Sequence, residues 1–455
     1  MGKPVIKKIL NWQLALAGLL LVHVILLINL KFTAWPEMQL WPYLILKGWL
    51  PYRDIAIVHN PALLADLTIF NRVFGLGIWQ LKIYTWLTIL SIDALLFWIV
   101  RKFWNIKTAF YTLAFFIPLQ LYYEGNGLWF DLSLAFVALL VYFFVMKKDY
   151  FKAGLFWALA FLVKQTAFWF LIPIGIYALQ DGALKASLKS FFTGLFLVFV
   201  PTFMIMWVLG ILPDYLFWAY KFGLGVLPRA SGQISFPDIK TAISALIPLL
   251  ILSFLAIDYE RKRMGGLLAW VLAGFMGAFP RWELFHFQPA APFLAIIVAV
   301  LASSFKDKTI LFKLFFVFYS VVSAFVIGRF ILRDWGGEVR FMDTMTLKVA
   351  NYVRGVSEKN ERIYVLNFWD NIYPLTDTFP AMKPWIPHLS WYMNMPGVQQ
   401  RLVDSLAKEP PSLIVFRQYT AAGLSSYRPP LIDDFIRENY AVSYKIDDIN
   451  FLKPK

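Results

Sequence analysis

Apolar stretches of roughly twenty residues alternate with short polar breaks along the first 330 positions, a pattern that predicts a bundle of membrane-spanning helices. Span one is expected at about 11–31, span two at 78–100, and spans three and four at 107–123 and 128–146 around the short turn Glu124-Gly125-Asn126-Gly127. Span seven is expected at 190–212, span eight at 239–257, span nine at 264–279, span ten at 287–303 and span eleven at 309–330. Residues 32–77 break the pattern. There Trp35, Trp41 and Trp49 alternate with prolines and apolar residues, which reads as a long loop with amphipathic, interfacial pieces. A second loop is expected at 213–238.

Spans five and six come from 151–180, and their lengths are unusual. Lys147, Lys148 and Lys152 flank one end, and Lys185 and Lys189 flank the other. Basic flanks stay cytoplasmic, so this segment must go out and return. Each arm has roughly 14 residues, short of the ~20 of a full crossing. The tip Lys164-Gln165-Thr166 then lies below the outer membrane surface, where a lysine must face protein or a wet cavity. Lys164 is therefore a candidate to meet an anion, and the competing reading is a lysine that snorkels.

Residues 331–455 are less apolar. Strand-like runs at 362–368, 412–417 and 441–446 alternate with helical stretches near 397–408 and 430–438, which suggests a small α/β domain. The expected fold is thus an all-α polytopic membrane bundle of about eleven helices, 1–330, with an extracytoplasmic α/β C-terminal domain, 331–455. The N-terminus, MGKPVIKK, reads as cytoplasmic and is followed by a retained first span.

Composition supports this picture: 60% of residues are hydrophobic and 18% aromatic, with a mean hydropathy of +0.62. The net charge of +15 points to no nucleic acid, because much of the excess sits at span ends and orients the chain in a lipid bilayer. There is no cysteine, so disulfides, iron–sulfur clusters and thiolate metal sites are excluded.

The topology gathers Arg53, Asp54, His59, Glu124, Asp131, Lys164, Arg229, Arg281, Glu283 and His286 near the outer face. Asp54, in PYRD, is either a general base for an attacking hydroxyl or a helix-start aspartate paired with Arg53. His59 either orients the base or binds substrate, or is a loop cap. Arg281 and His286 suit a phosphate, with Trp282 anchoring and an Arg281–Glu283 ion pair as the plainer reading. Glu124 and Asp131 are candidates for a sugar hydroxyl or a metal. No acidic residue clusters with Asp54 as a hard divalent cation requires. Asp93, near the cytoplasmic end of span two, is expected to be a buried, hydrogen-bonded packing residue.

GWLPYRDIAIVHNPALL, NGLWFDLSLAFVALLVYFF, GLFWALAFLVKQTAFWFLIPIGIYAL and PRWELFHFQPAAPFLAI, taken in order, resemble segments of the GT-C membrane glycosyltransferases, the oligosaccharyl- and protein-mannosyltransferase-like group. The resemblance spans roughly 35–300. It implies inverting transfer of a sugar from a polyprenyl-phosphate donor to a lipid or glycan acceptor at the outer face of the cytoplasmic membrane. It gives Asp54 the catalytic-base role, and it gives Lys164, Arg281 and His286 the departing lipid phosphate. Some members hold a metal through paired acids. Asp54 lacks such a partner, so no cofactor and no metal is expected. A transporter or flippase of lipid-linked sugars is the alternative from another class, and it calls for polar groups at both faces and paired repeats. A surface-polysaccharide ligase or polymerase would keep the phosphate chemistry.

Overall fold

The computed structural model describes residues 3–230, 261–303, 310–419 and 427–455, with isolated positions between 231 and 260. The expected eighth span falls almost entirely outside these residues. Ten helices occupy the first half: α1 Lys3–Asn29, α2 Glu37–Leu46, α3 Ala62–Phe74, α4 Ile78–Phe103, α5 Ile106–Tyr122, α6 Phe130–Met146, α7 Tyr150–Val163, α8 Leu171–Gln180, α9 Leu184–Val208 and the short α10 Leu212–Tyr215. Then come α11 Arg261–Met276, α12 Ala291–Ser303 and α13 Ile310–Asp334.

Four of the described helices are long and apolar enough to cross a membrane: residues 12–29 of α1, α4, α9 and residues 312–334 of α13. α6, α7, α11 and α12 are apolar but shorter. The protein is thus a helical membrane protein. The helix ends follow local chemistry. Asn105 caps α5 by accepting from the Thr108 amide at 2.8 Å, and Asp149 caps α7 through the Lys152 amide. Arg101 and Lys102 close α4, where the helix dipole favours cations. Asn126 takes up the C-terminal carbonyls of α1, donating to Leu27 and Leu30 at 3.0 Å, while Trp86 donates to it.

α7 and α9 cross in close contact through two glycines. A Cβ at Gly154 would collide with the Phe191 carbonyl, and one at Gly194 with the Phe151 carbonyl. Small residues allow this approach in a membrane bundle. α12 is buried from Ala291 to Leu301 and forms the bundle's centre. α13 is apolar yet exposed, as a lipid-facing helix must be. Between α1 and α4, His23 Nδ1 lies 2.7 Å from Asp93 Oδ2, both fully buried, so Asp93 is a hydrogen-bonded packing residue.

The α7–α8 segment has the short arms expected for a shallow hairpin. Lys164 breaks it in an extended conformation, and the tighter turn Gln165–Phe170 leads into α8. The expected loop 213–238 is instead largely helical where it is described, with α10 continuing through Leu216–Val226. The reason is its aromatic content: Trp218 and Phe222 pack on Tyr392, with ring centroids 6.0 and 4.7 Å away.

The C-terminal part carries a five-stranded sheet in the order β2-β1-β3-β5-β4. β1 (Arg362–Leu366) pairs in parallel with β2 (Phe379–Pro380) and β3 (Ile414–Arg417). β5 (Ile449–Pro454) lies antiparallel between β3 and β4 (Tyr440–Ile446). The sheet docks on the first loop. Tyr43 donates to the Thr378 carbonyl at 3.0 Å, Lys47 pairs with Asp377 at 2.7 Å, and Trp49 stacks on Phe379.

Candidate functional site

Asp54 sits on the seam between the first loop and the C-terminal sheet. The turn preceding it is tight: Tyr52 takes a left-handed φ of 67°, and the Asp54 amide donates to the Leu50 carbonyl at 2.9 Å. This folds the side chain back, so that Oδ2 accepts from the Leu50 amide at 2.8 Å. Lys383 Nζ lies 2.9 Å from the same oxygen, and Arg53 Nε is 3.7 Å from Oδ1. The backbone is clamped as well, with Trp385 donating to the Asp54 carbonyl and Ala56 donating to the Trp385 carbonyl, both at 2.9 Å. Asp54 is 7% exposed, whereas the side chains of its two cations, Arg53 and Lys383, are 53% and 45% exposed. A carboxylate with one covered side and two exposed cations at its rim can take a proton from a hydroxyl delivered there.

The rest of the loop is strapped to the break between α7 and α8. Gln165 donates to the Val58 carbonyl at 2.7 Å. Asn60 donates to the Phe161 carbonyl and accepts from Tyr215. Tyr52 donates to the His59 carbonyl and packs edge-on against Tyr215. These bonds bring the Asp54 loop to the place where Lys164 lies.

Lys164 forms a second, closed group. Its Nζ is 2.7 Å from both oxygens of Asp131, at the start of α6. His286 Nδ1 is 2.8 Å from Asp131 Oδ2 and 3.1 Å from Lys164 Nζ. The expectation that Lys164 serves an outside anion therefore meets an ammonium already engaged by an internal carboxylate. The physical reason is that a buried lone ammonium is costly, and a paired, hydrogen-bonded one is tolerated. His59 stacks on Phe130 with centroids 4.1 Å apart and meets Trp129 edge-on. Burial, then the Lys164 charge, lowers His59 to about 3. The same two causes lower His286. Both imidazoles are neutral near pH 7, so the group carries one positive and one negative charge. Trp35 roofs it, tilted on Trp129 and Phe285 at 5.1 Å each.

Arg281 and Glu283 form an ion pair with each other, and the Arg281 guanidinium lies over the Trp391 ring at 5.8 Å. Glu124 does not join either group. It is half-exposed in its turn, 3.8 Å from Arg340. The residue near that turn that does join is Asp131, whose carboxylate faces inward from the first turn of α6.

Reading the sequence did not single out Lys383, Trp385, Glu37 or Asp370. Burial raises Glu37, with Arg281 opposing, and burial and the Glu37 charge raise Asp370, against which Trp385 hydrogen-bonds. The only sequence signal was the basic-aromatic step Lys383-Pro384-Trp385 in the tail. Among the described residues no three His, Asp or Glu side chains gather as metal ligands.

Neither a protein-family model nor a curated protein matches the chain. Solved structures do. The chain is similar to ArnT from Cupriavidus metallidurans in the apo state, at a TM-score of 0.68 and 13% identity over 98% of both chains. It is also similar to ArnT bound to undecaprenyl phosphate, at a TM-score of 0.65 and 14% identity over 97% of this chain and 98% of that one. The archaeal oligosaccharyltransferase AglB from Archaeoglobus fulgidus, in complex with an inhibitory peptide and a dolichol-phosphate, matches at a TM-score of 0.53 and 12% identity, over 98% of this chain and 74% of that one. The fold of this chain is accordingly the one it shares along nearly its whole length with ArnT, the GT-C fold that the sequence resemblance implies.

Proposed function

We propose that the protein is an integral-membrane glycosyltransferase that moves a sugar from a polyprenyl-phosphate donor to a hydroxyl of a lipid or glycan acceptor, with inversion. The observation that carries the reading is the single carboxylate of Asp54, held at the edge of a membrane bundle with the exposed Arg53 beside it. The fold match adds weight, since ArnT and AglB were solved with undecaprenyl phosphate and dolichol-phosphate.

In this reading the acceptor hydroxyl oxygen attacks the anomeric carbon, and its proton goes to Asp54. The bond from that carbon to the phosphate oxygen breaks, and the polyprenyl phosphate leaves with the electron pair. A phosphate is a good leaving group, so one carboxylate suffices where glycoside hydrolysis uses two. Cations that strengthen their grip as negative charge develops favour the transition state over the ground state. Arg53 is assigned to that phosphate, and Arg281 is left to its ion pair with Glu283. The Lys164–Asp131–His286 group is assigned the role of a rigid floor that holds the Asp54 loop, with His59 and Trp35 as its roof. The reading places the site on the outer face of the cytoplasmic membrane and the N-terminus inside, which is supported by the basic residues at 147–152 and 185–189.

The test is turnover by the purified protein in lipid nanodiscs, supplied with undecaprenyl-phosphate-linked sugars and a total lipid extract. Release of free undecaprenyl phosphate with a new glycosidic product in the mass spectrum is the expected result. Movement of the intact donor between leaflets of a vesicle, with no new glycosidic bond, contradicts it.

A further inference from the structure

We infer that Lys383, from the C-terminal sheet region, is a shared ligand that pairs with Asp54 while the site is empty and transfers to the donor phosphate when the lipid binds. The inference rests on the transferase reading above and extends it, because it makes the membrane bundle's site incomplete without a residue from the far end of the chain.

Three observations carry it. First, the cations expected to meet the phosphate are largely committed elsewhere. Lys164 is bound at 2.7 Å by both oxygens of Asp131, and Arg281 is bound by Glu283. An ammonium held on both sides in a buried pair is not released to an incoming anion without leaving Asp131 uncompensated. Second, Lys383 contacts Asp54 from the opposite situation. Its side chain is nearly half exposed, its Nζ lies 2.9 Å from Asp54 Oδ2, and the same ammonium lies 5.1 Å from the centre of the Trp49 ring. A pair of this kind is weakly held and readily exchanged. Third, the backbone under it is fixed. The Trp385–Asp54 and Ala56–Trp385 bonds and the Trp49–Phe379 stack hold the segment against the loop. The four-carbon stem can therefore swing while its root stays in place.

The charges are complementary through the reaction. As Asp54 takes the hydroxyl proton it loses the charge that attracts Lys383. At the same moment the leaving phosphate gains charge. The ammonium, already drawn to the phosphate on binding, is held there more strongly as the bond breaks, and no new cation has to be recruited.

The experiment measures undecaprenyl phosphate binding to the full-length protein in nanodiscs for the wild type, Lys383→Met, Asp54→Asn and the double variant. Losing one charge-assisted contact weakens binding about tenfold in Lys383→Met. Asp54→Asn frees the lysine and tightens binding severalfold. The double variant binds as weakly as Lys383→Met alone, because the gain from Asp54→Asn passes through the lysine. The Asp54→Asn arm leaves Lys383 in place, so the claim stays testable even if the lysine variant folds poorly. Equal affinity in all four proteins overturns the shared-ligand role while leaving the transferase reading intact. So does tightening that persists in the double variant, which would assign the released cation to Arg53. Absence of binding by the wild type overturns both.

Discussion

Two groups at the loop-bearing end of the bundle each set a carboxylate against a lysine and a second nitrogen base and are built in opposite ways. The Asp131 group sets a carboxylate against an ammonium and an imidazole, all buried, with every contact inside the protein. The Asp54 group sets a carboxylate against an ammonium and a guanidinium, with the carboxylate covered and both cations at the rim. A closed ion pair holds elements together and has no charge left over for a ligand. An open one keeps its carboxylate fixed and its cations free to respond to charge that arrives. Residue type therefore does not separate structure from chemistry here; the exposure of the partners does.

The largest effect that sharpens the contrast is on turnover. Asp54→Asn removes the proton acceptor but keeps the shape, and it lowers sugar transfer by about 10²–10⁴-fold with the melting temperature unchanged. Transfer at the wild-type rate by a folded Asp54→Asn protein would remove the base from the account. The next effect is on stability. Asp131→Asn or Lys164→Met leaves one buried charge alone and destabilises the protein by about 3–5 kcal/mol, measured as thermal unfolding in detergent. Replacing both by apolar residues of similar size recovers much of that loss, which a single deletion cannot do. If Lys164→Met melts like the wild type, the closed group is not the strut described here.

A smaller effect concerns pH. His59 is held near 3 in the folded protein against an ordinary 6.5, by burial and by Lys164, and His388 near 4 by burial. A depressed histidine means that the unfolded chain binds more protons between those values. Stability therefore rises with pH through that window and falls as pH drops from about 6.5 toward 4. Melting temperatures across that range, compared with His59→Asn, check the sign: the variant's slope is shallower. The smallest effect is at Glu124. Its exposed pairing with Arg340 predicts that Glu124→Gln changes stability by less than about 0.5 kcal/mol and leaves transfer untouched, and a large loss of activity would return it to the site.

The sequence carried much of the bundle because the membrane makes every break in an apolar run informative. Lys164 stood out for that reason, and the short arms on either side of it correspond to α7 and α8. What it could not carry was the partner. Asp131 lies 33 residues upstream of Lys164, and nothing in a helical period announces that two polar positions on separate helices face each other. Lys383 was still less visible. It is one of 43 Lys and Arg residues, in a polar tail where a lysine is unremarked, and only the backbone ladder between Trp385 and the Asp54 loop gives it meaning. The stretch after α10 reads as a loop in sequence, with Pro213, Asp214, Lys221 and Arg229 in it, whereas its aromatics Trp218 and Phe222 pack against Tyr392 of the C-terminal part.

The most direct test of the contrast between the open and closed groups is a cryo-electron microscopy map of the full-length protein with undecaprenyl phosphate bound. The account predicts phosphate density at the Asp54 seam, within hydrogen-bond reach of Lys383 or Arg53, with Lys164 still seated on Asp131. Phosphate density on Lys164, with Asp131 displaced and the Asp54–Lys383 pair undisturbed, would contradict it.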